Sequence, residues 1–338
     1  MIKLIDKKNK IEVEENIYYS KFIVNKNKIN TDLLDFFNGK IKRGYKSGIY
    51  LLDKHFIFKD NEFYVLTGKK GSGKTTITQA LQLIGSISND LIWVVCFQEN
   101  SEWSMKLNYM NYLLGDFALN IKKTNLELYK KVSDWVDEHF IFIEVDDIKT
   151  ALYVTKNLIK KGKKIHAVLL DPINSFRNGF QETGNGYSDG VVAATEILKF
   201  TKKWCSVHVS QHPTMANQRK LEAVTSYDAE GGWFLNKASF TYVIDREKGT
   251  NLNKIIVENV RNKHTGGSET DSENPLILEW SPNNINIRYN NDIHKSVNVI
   301  QKIILENGLF ELTESSKNEL IESNKNEFDR EIFEDNFI

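Results

Sequence analysis

The run Gly68-Lys69-Lys70-Gly71-Ser72-Gly73-Lys74-Thr75 carries the most specific chemistry in the chain. It fits GxxxxGK[ST], in which glycines let successive backbone N–H groups curl around a phosphate. Gly68, Gly71, Ser72 and Gly73 would shape the cradle, Lys74 would reach the terminal phosphates, and the Thr75 hydroxyl would hold Mg²⁺. The expected ligand is ATP or another nucleoside triphosphate. The bland alternative is a Gly- and Lys-rich surface loop. Against it, the apolar run Phe63-Tyr64-Val65-Leu66 precedes the motif and a helix-like run, Thr76 to Ile84, follows it. A helix opening directly after such a loop adds partial positive charge where the phosphate sits.

Other residues could complete that chemistry. Ile165-His166-Ala167-Val168-Leu169-Leu170-Asp171 is an apolar run ending in a carboxylate, and Asp171 would hold Mg²⁺ directly or through water. Pro172 follows it, so no glutamate adjoins this aspartate. The run LIWVVCFQE ends at Glu99, which would polarise the attacking water, or else merely open the next helix. Ser206 to Ser210 leads into Gln211-His212-Pro213, where either polar side chain could contact the γ-phosphate. Val257 to Gly267 runs into a basic loop, and a cation there could reach a phosphate across a subunit boundary. Two further loops, Arg177 to Asp189 and Thr214 to Glu230, are long and Gly- or polar-rich. Arg177, Arg219 and Lys220 could track the phosphates of a DNA strand there, or the loops could be plain surface.

These residues need a scaffold. Apolar strand-like runs fall at 62–67, 91–97, 140–144, 167–170, 206–210, 242–245 and 254–260, with helical runs at 101–114, 126–138, 148–160 and 190–203 between them. Such alternation predicts an α/β protein, a P-loop NTPase core with a mostly parallel central sheet flanked by helices. Ligands of these sheets sit at the carboxyl ends of the strands, and each residue singled out above is expected at such an end.

Composition narrows the field. At 338 residues and 41% hydrophobic, the chain can bury a large core. Its formal net charge of zero gives no global basic field, so nucleic-acid binding must rest on a local surface. Cys96 and Cys205 lie in apolar stretches and read as core thiols of a reducing cytoplasm. No apolar run is long enough for a membrane span, and the first residues lack the apolar stretch of a signal peptide. Five regions are expected: an extension at 1–30 with a β-like run from Ile17 to Val24; a linker at 31–47; the ATPase core at 48–290; a helical segment at 291–312; and an acidic, disordered tail at 313–338. In the linker, Thr31 would cap a short helix to Asn38 with Leu33, Leu34, Phe36 and Phe37 as an apolar stripe.

Together these motifs resemble the RecA-like ATPase core of the DnaB-type ring helicases, nearest to the phage and mitochondrial (Twinkle-like) replicative helicases. The resemblance spans roughly Gly44 to Gly267. FQENS resembles the strand end with that family's catalytic glutamate (Glu99), LLDPINSF its Walker B (Asp171), and QHP its phosphate-sensing position (His212, with Gln211 as rival). DAEGGWFLNKASFTYVIDRE resembles the segment after its second DNA loop, and VRNKHTGG its arginine-finger segment, with Arg261 as the finger. The family commonly has Lys two residues before that arginine; this chain has Asn259, so Lys263 is the alternative.

The resemblance implies an ATP- and Mg²⁺-dependent, hexameric DNA helicase acting in replication on single-stranded DNA, in the cytoplasm, or a host's cytoplasm if phage-encoded. The linker helix would dock on a neighbouring subunit. Primase, polymerase or loader would be separate proteins, and the tail with Phe337 would bind such partners. Two other readings share the core: a RecA-like strand-exchange filament, and a regulatory ATPase indifferent to DNA.

Overall fold

The computed structural model describes residues 23, 25–41, 44–180, 184–218, 224–230, 232–246, 249–261, 263–270, 275–281, 285–288 and 296–310. The β-like run from Ile17 to Val24, Arg219, Lys220, and the tail 313–338 with Phe337 thus lie outside the described residues. The chain divides into two units, 1–43 and 44–338.

The first unit contributes one helix, α1 (Lys26–Phe37). It starts before the expected Thr31. The Asn25 side chain accepts the Asn27 N–H at 2.9 Å and caps the helix upstream of that threonine. Thr31 sits inside, its hydroxyl donating back to the Asn27 carbonyl at 2.9 Å. Leu33, Leu34 and Phe37 are exposed.

The second unit runs α2 (Tyr50–His55), β1 (Phe63–Thr67), α3 (Lys74–Asn89), β2 (Ile92–Phe97), α4 (Glu102–Leu114), α5 (Ala118–Thr124), α6 (Leu126–His139), β3 (Phe140–Phe142), α7 (Ile148–Lys160) and β4 (Ile165–Asp171). It continues through α8 (Gly186–Thr201), β5 (Ser206–Gln211), α9 (Met215–Gln218), α10 (Gly232–Lys237), β6 (Phe240–Arg246), β7 (Leu252–Val260), β8 (Leu276–Trp280), β9 (Ile285–Arg288), β10 (Ser296–Asn298) and α11 (Val299–Glu306).

One ten-stranded sheet carries them, in the order β10-β9-β8-β7-β6-β1-β5-β4-β2-β3. From β3 to β6 every pairing is parallel. The residues of β1, β4 and β5 are buried throughout, as strands covered by helices on both faces require. Alternate side chains feed two cores. Tyr64, Leu66, Trp93 and Val95 join α3 and α4 on one face; Phe63, Val65, Val94 and Cys96 join α7 and α8 on the other. Cys96 and Cys205 are free and buried, and burial pushes both thiols up to about 12, as core thiols should behave.

Beyond β6 the sheet turns antiparallel. That matters for one candidate residue. Phe240 pairs with Tyr64 on one side and Val260 on the other, so Arg261, following β7, stands at the amino-terminal edge of β1. This corrects the expectation that it occupies a ligand-binding strand end, and the reason is that β7 reverses direction. The region 291–312 contributes an edge strand and a docked helix: Ile300, Ile303 and Ile304 are buried, and the Gln301 amide donates to the Tyr112 and Leu113 carbonyls at 2.9 and 3.0 Å. The loop after Arg177 is shorter than expected, since Asn185 caps α8 at Gly186. Among the described residues no helix is long and apolar enough to cross a membrane.

Candidate active site

Register brings the carboxyl ends of four parallel strands together: Thr67 pairs with Gln211, Leu170 with Val209, and Phe97 with Asp171. The P-loop leaves β1 at this edge. Gly73 takes φ +87° at the amino end of α3, where no side chain caps the helix and no acid lies in its first turn. Its amide groups and dipole are thereby left to an anion.

Lys74 is buried, and its ammonium donates to the Gly68 and Lys69 carbonyls at 2.7 and 3.0 Å. Burial lowers it to about 8, opposed by the charges of Asp171 and Glu99. The Thr75 hydroxyl donates to Asp171 Oδ2 at 2.8 Å. Burial raises the Asp171 carboxyl; the Ser210 and Thr75 hydroxyls and Lys74 oppose that rise, although Ser210 makes no well-formed hydrogen bond. Hydroxyl and carboxylate oxygens in contact make a hard, oxygen-only pair that fits Mg²⁺, an ion satisfied by one or two protein ligands plus phosphates.

Glu99 follows β2, and the Gln98 N–H donates to the Asp171 carbonyl at 3.1 Å. The Glu99 carboxylate is half exposed, with His212 Nε2 at 3.4 Å. Its rival Gln211 is fully buried, and its amide donates to the Glu230 carbonyl at 3.1 Å. The His212 N–H donates to Asn174 Oδ1 at 2.9 Å, and the Asn174 amide donates to Glu230 Oε2 at 3.2 Å. The Glu230 N–H closes the circuit on the His212 carbonyl at 2.9 Å. Glu230 ends the loop begun at Thr214, so the water-facing carboxylate is joined to that loop through His212 and Asn174.

Sequence reasoning missed Asn174 and Glu230, and also the clamp on the P-loop. Asn253 of β7 donates to the Ser72 carbonyl, and a Cβ on Gly73 would lie 2.5 Å from the Asn253 amide nitrogen. Arg246 donates to the Gly71 carbonyl at 3.4 Å while its guanidinium lies 5.6 Å from the Trp280 ring centroid. The available signal was polar residues in otherwise apolar strands. Buried polar atoms without partners gather at this edge: Ser72 Oγ, Ser210 Oγ, Gln211 Oε1, His212 Nδ1 and Arg246 Nε. Such atoms are few in native proteins, and their clustering fits a polar ligand.

Two predicted residues are not brought here. Arg177 is exposed and pairs with Asp146 at 3.5 Å. Arg261 is also exposed, donating to the Asn236 carbonyl at 2.9 Å, whereas Lys263 is engaged by Glu269. About 16 Å of strand separates Arg261 from its own P-loop, at roughly 3.3 Å per residue, beyond a side chain's reach.

No family model matches the chain, and no curated protein matches it. Solved structures do. One, the ATPase domain of a DnaB-like helicase, superposes with a TM-score of 0.61 at 13% identity, covering 76% of this chain and 95% of that one. A DnaB-like replicative helicase, described with its interactions with primase, gives 0.59 at 13% identity, covering 77% and 65%. This is the DnaB-like helicase ATPase fold. In the DnaB-like fold of this chain, the P-loop, Glu99, Asp171 and His212 share one sheet edge and Arg261 stands at the other.

Proposed function

We propose that the chain hydrolyses ATP to drive translocation along single-stranded DNA and unwinds duplex as a hexameric replicative helicase. The observation that supports this best is the continuous polar path from Thr75 and Asp171, through Gln98 and Glu99, to His212, Asn174 and Glu230 at the base of the loop from Thr214. A site that only hydrolysed nucleotide would not need its water-facing carboxylate wired to a loop.

In this reading Lys74 leaves the Gly68 and Lys69 carbonyls to hold the β- and γ-phosphates. Thr75 and Asp171 hold Mg²⁺, which when bound neutralises charge on the phosphoryl oxygens. Glu99 takes a proton from the attacking water. His212, with Gln211 beside it, senses the γ-phosphate and passes its loss to Glu230 and the loop, which bears on DNA. Arg246 and Trp280 wall the nucleoside end. Arg261 completes the site of a neighbouring copy, since it cannot reach its own. Primase, polymerase or loader would be separate chains.

The test is ATP hydrolysis with and without single-stranded DNA, alongside particle mass with nucleotide bound. DNA stimulation with a closed ring of about six copies supports the motor, because an interface that repeats by rotation closes into a ring. Stimulation on open filaments favours strand exchange, and hydrolysis indifferent to DNA leaves a regulatory ATPase.

A further inference from the structure

The chain is neutral overall, but its charge is unevenly placed. Residues 156–164, at the carboxyl end of α7, contain five lysines and no acid; residues 199–204, at the carboxyl end of α8, contain three and no acid. The loops after these helices enter β4 and β5, which are paired neighbours, so both lysine groups meet at the sheet edge opposite the P-loop. Of these eight, Lys199 alone has an ion-pair partner among the described residues, Glu196 at 2.6 Å.

Their meeting point is Trp204. Lys156 and Lys160 from α7 and Lys203 beside it place their ammonium groups 5.5, 5.9 and 5.5 Å from its ring centroid. A cation over an indole gains about 0.5–1 kcal/mol at an exposed site. Three cations on one ring repel each other, and among the described residues no carboxylate pairs with any of them. The indole pre-orders a concentration of positive charge that a polyanion would neutralise.

We propose that this Trp204-centred lysine surface binds the phosphate backbone of a polynucleotide, as a contact separate from the loop at Thr214. Polynucleotide is favoured over an acidic peptide because the motor proposed above runs along one, and the inference rests on that reading. Lysine ammoniums also act as point charges suited to phosphate without reading sequence. The surface adds to the motor a second strand contact away from the nucleotide edge.

The experiment measures binding of labelled oligo-dT across a salt series by the full chain and by the triple variant Lys156→Gln, Lys160→Gln, Lys203→Gln. Basal ATP hydrolysis and particle mass are followed in parallel. Loss of three phosphate contacts should flatten the slope of log K against log salt by about 2, at about 0.7 per contact on single strands. Basal hydrolysis and mass should not change, and the corresponding Lys→Arg triple variant should keep the slope. An unchanged slope in a variant whose parent binds DNA overturns this proposal alone. A changed particle mass overturns it in favour of a contact between copies, and parent binding to polyglutamate but not to DNA overturns it in favour of an acidic protein. A parent that binds no polynucleotide removes this proposal and the motor together.

Discussion

Glu99 Oε1 and His212 Nε2 stand 3.4 Å apart, one after β2 and the other after β5, although 113 residues separate them in the chain. The pair couples the group placed to activate water to the segment placed to report on phosphate. Glu99→Gln should keep nucleotide binding and lose about 10²- to 10⁴-fold in turnover, the usual contribution of a positioned base. Equilibrium binding of a fluorescent nucleotide beside a hydrolysis assay checks it; an active Glu99→Gln enzyme would remove Glu99 from its role.

Asn174 predicts a different signature. Its side chain holds the His212 N–H and the Glu230 carboxylate but points to no reacting atom. Asn174→Ala should therefore leave basal hydrolysis within a few-fold and diminish its stimulation by single-stranded DNA. Comparing the two rates decides it, since a purely structural loss would depress both equally.

Lys74 gives a pH dependence. Its folded value of about 8 lies below the ordinary 10.5. Between these values the unfolded chain holds a proton that the folded chain lacks, so this group's contribution to stability rises as pH rises from about 8 towards 10.5. Nucleotide binding should run the other way. Phosphates need the ammonium, so affinity should fall above a pH of about 8 and binding there should take up a proton. Calorimetry in buffers of different ionisation enthalpy measures that uptake, and Lys74→Ala should abolish both the uptake and hydrolysis.

Asn253→Ala leaves the Ser72 carbonyl without its donor. The expected cost is about 1–3 kcal/mol, that of an unsatisfied buried group. Thermal unfolding should show it, with part of the loss recovered by saturating nucleotide if the P-loop is what loosens. Equal loss with and without nucleotide would place the effect in the sheet instead.

The parts legible in the sequence are those whose signal is local. The P-loop is one contiguous motif, and strands buried on both faces, such as Ile165–Asp171, are unbroken apolar runs. A helix with a strong apolar stripe, such as Ile148–Lys160, has the same bounds in sequence and structure. What stays hidden depends on distant partners. Asn253 meets Ser72 across 181 residues, and neither residue type announces the contact. The strands β8 to β10 lie in a polar, Asn-rich stretch and gain their order from pairing with β7 and with each other. The start of α8 lies in a Gly-rich stretch that reads as loop until Gly190 is seen to admit the Trp233 indole, where a Cβ would overlap the ring. Arg261 stands out by its neighbours in sequence, but its edge of the sheet depends on the direction of β7, which composition does not encode.

That position of Arg261 has an arithmetical consequence for a protein working as proposed. Copies joined head to tail in an open row always leave one nucleotide without a finger and one finger without a nucleotide. A pair therefore owns a single finished site, and a solitary chain owns none. Closing the row is the only arrangement in which every copy is served, because a heterologous contact satisfies all its members only when it returns to its start. Turnover per chain should then climb with protein concentration and level off at closure, so that dilution alone would idle the enzyme.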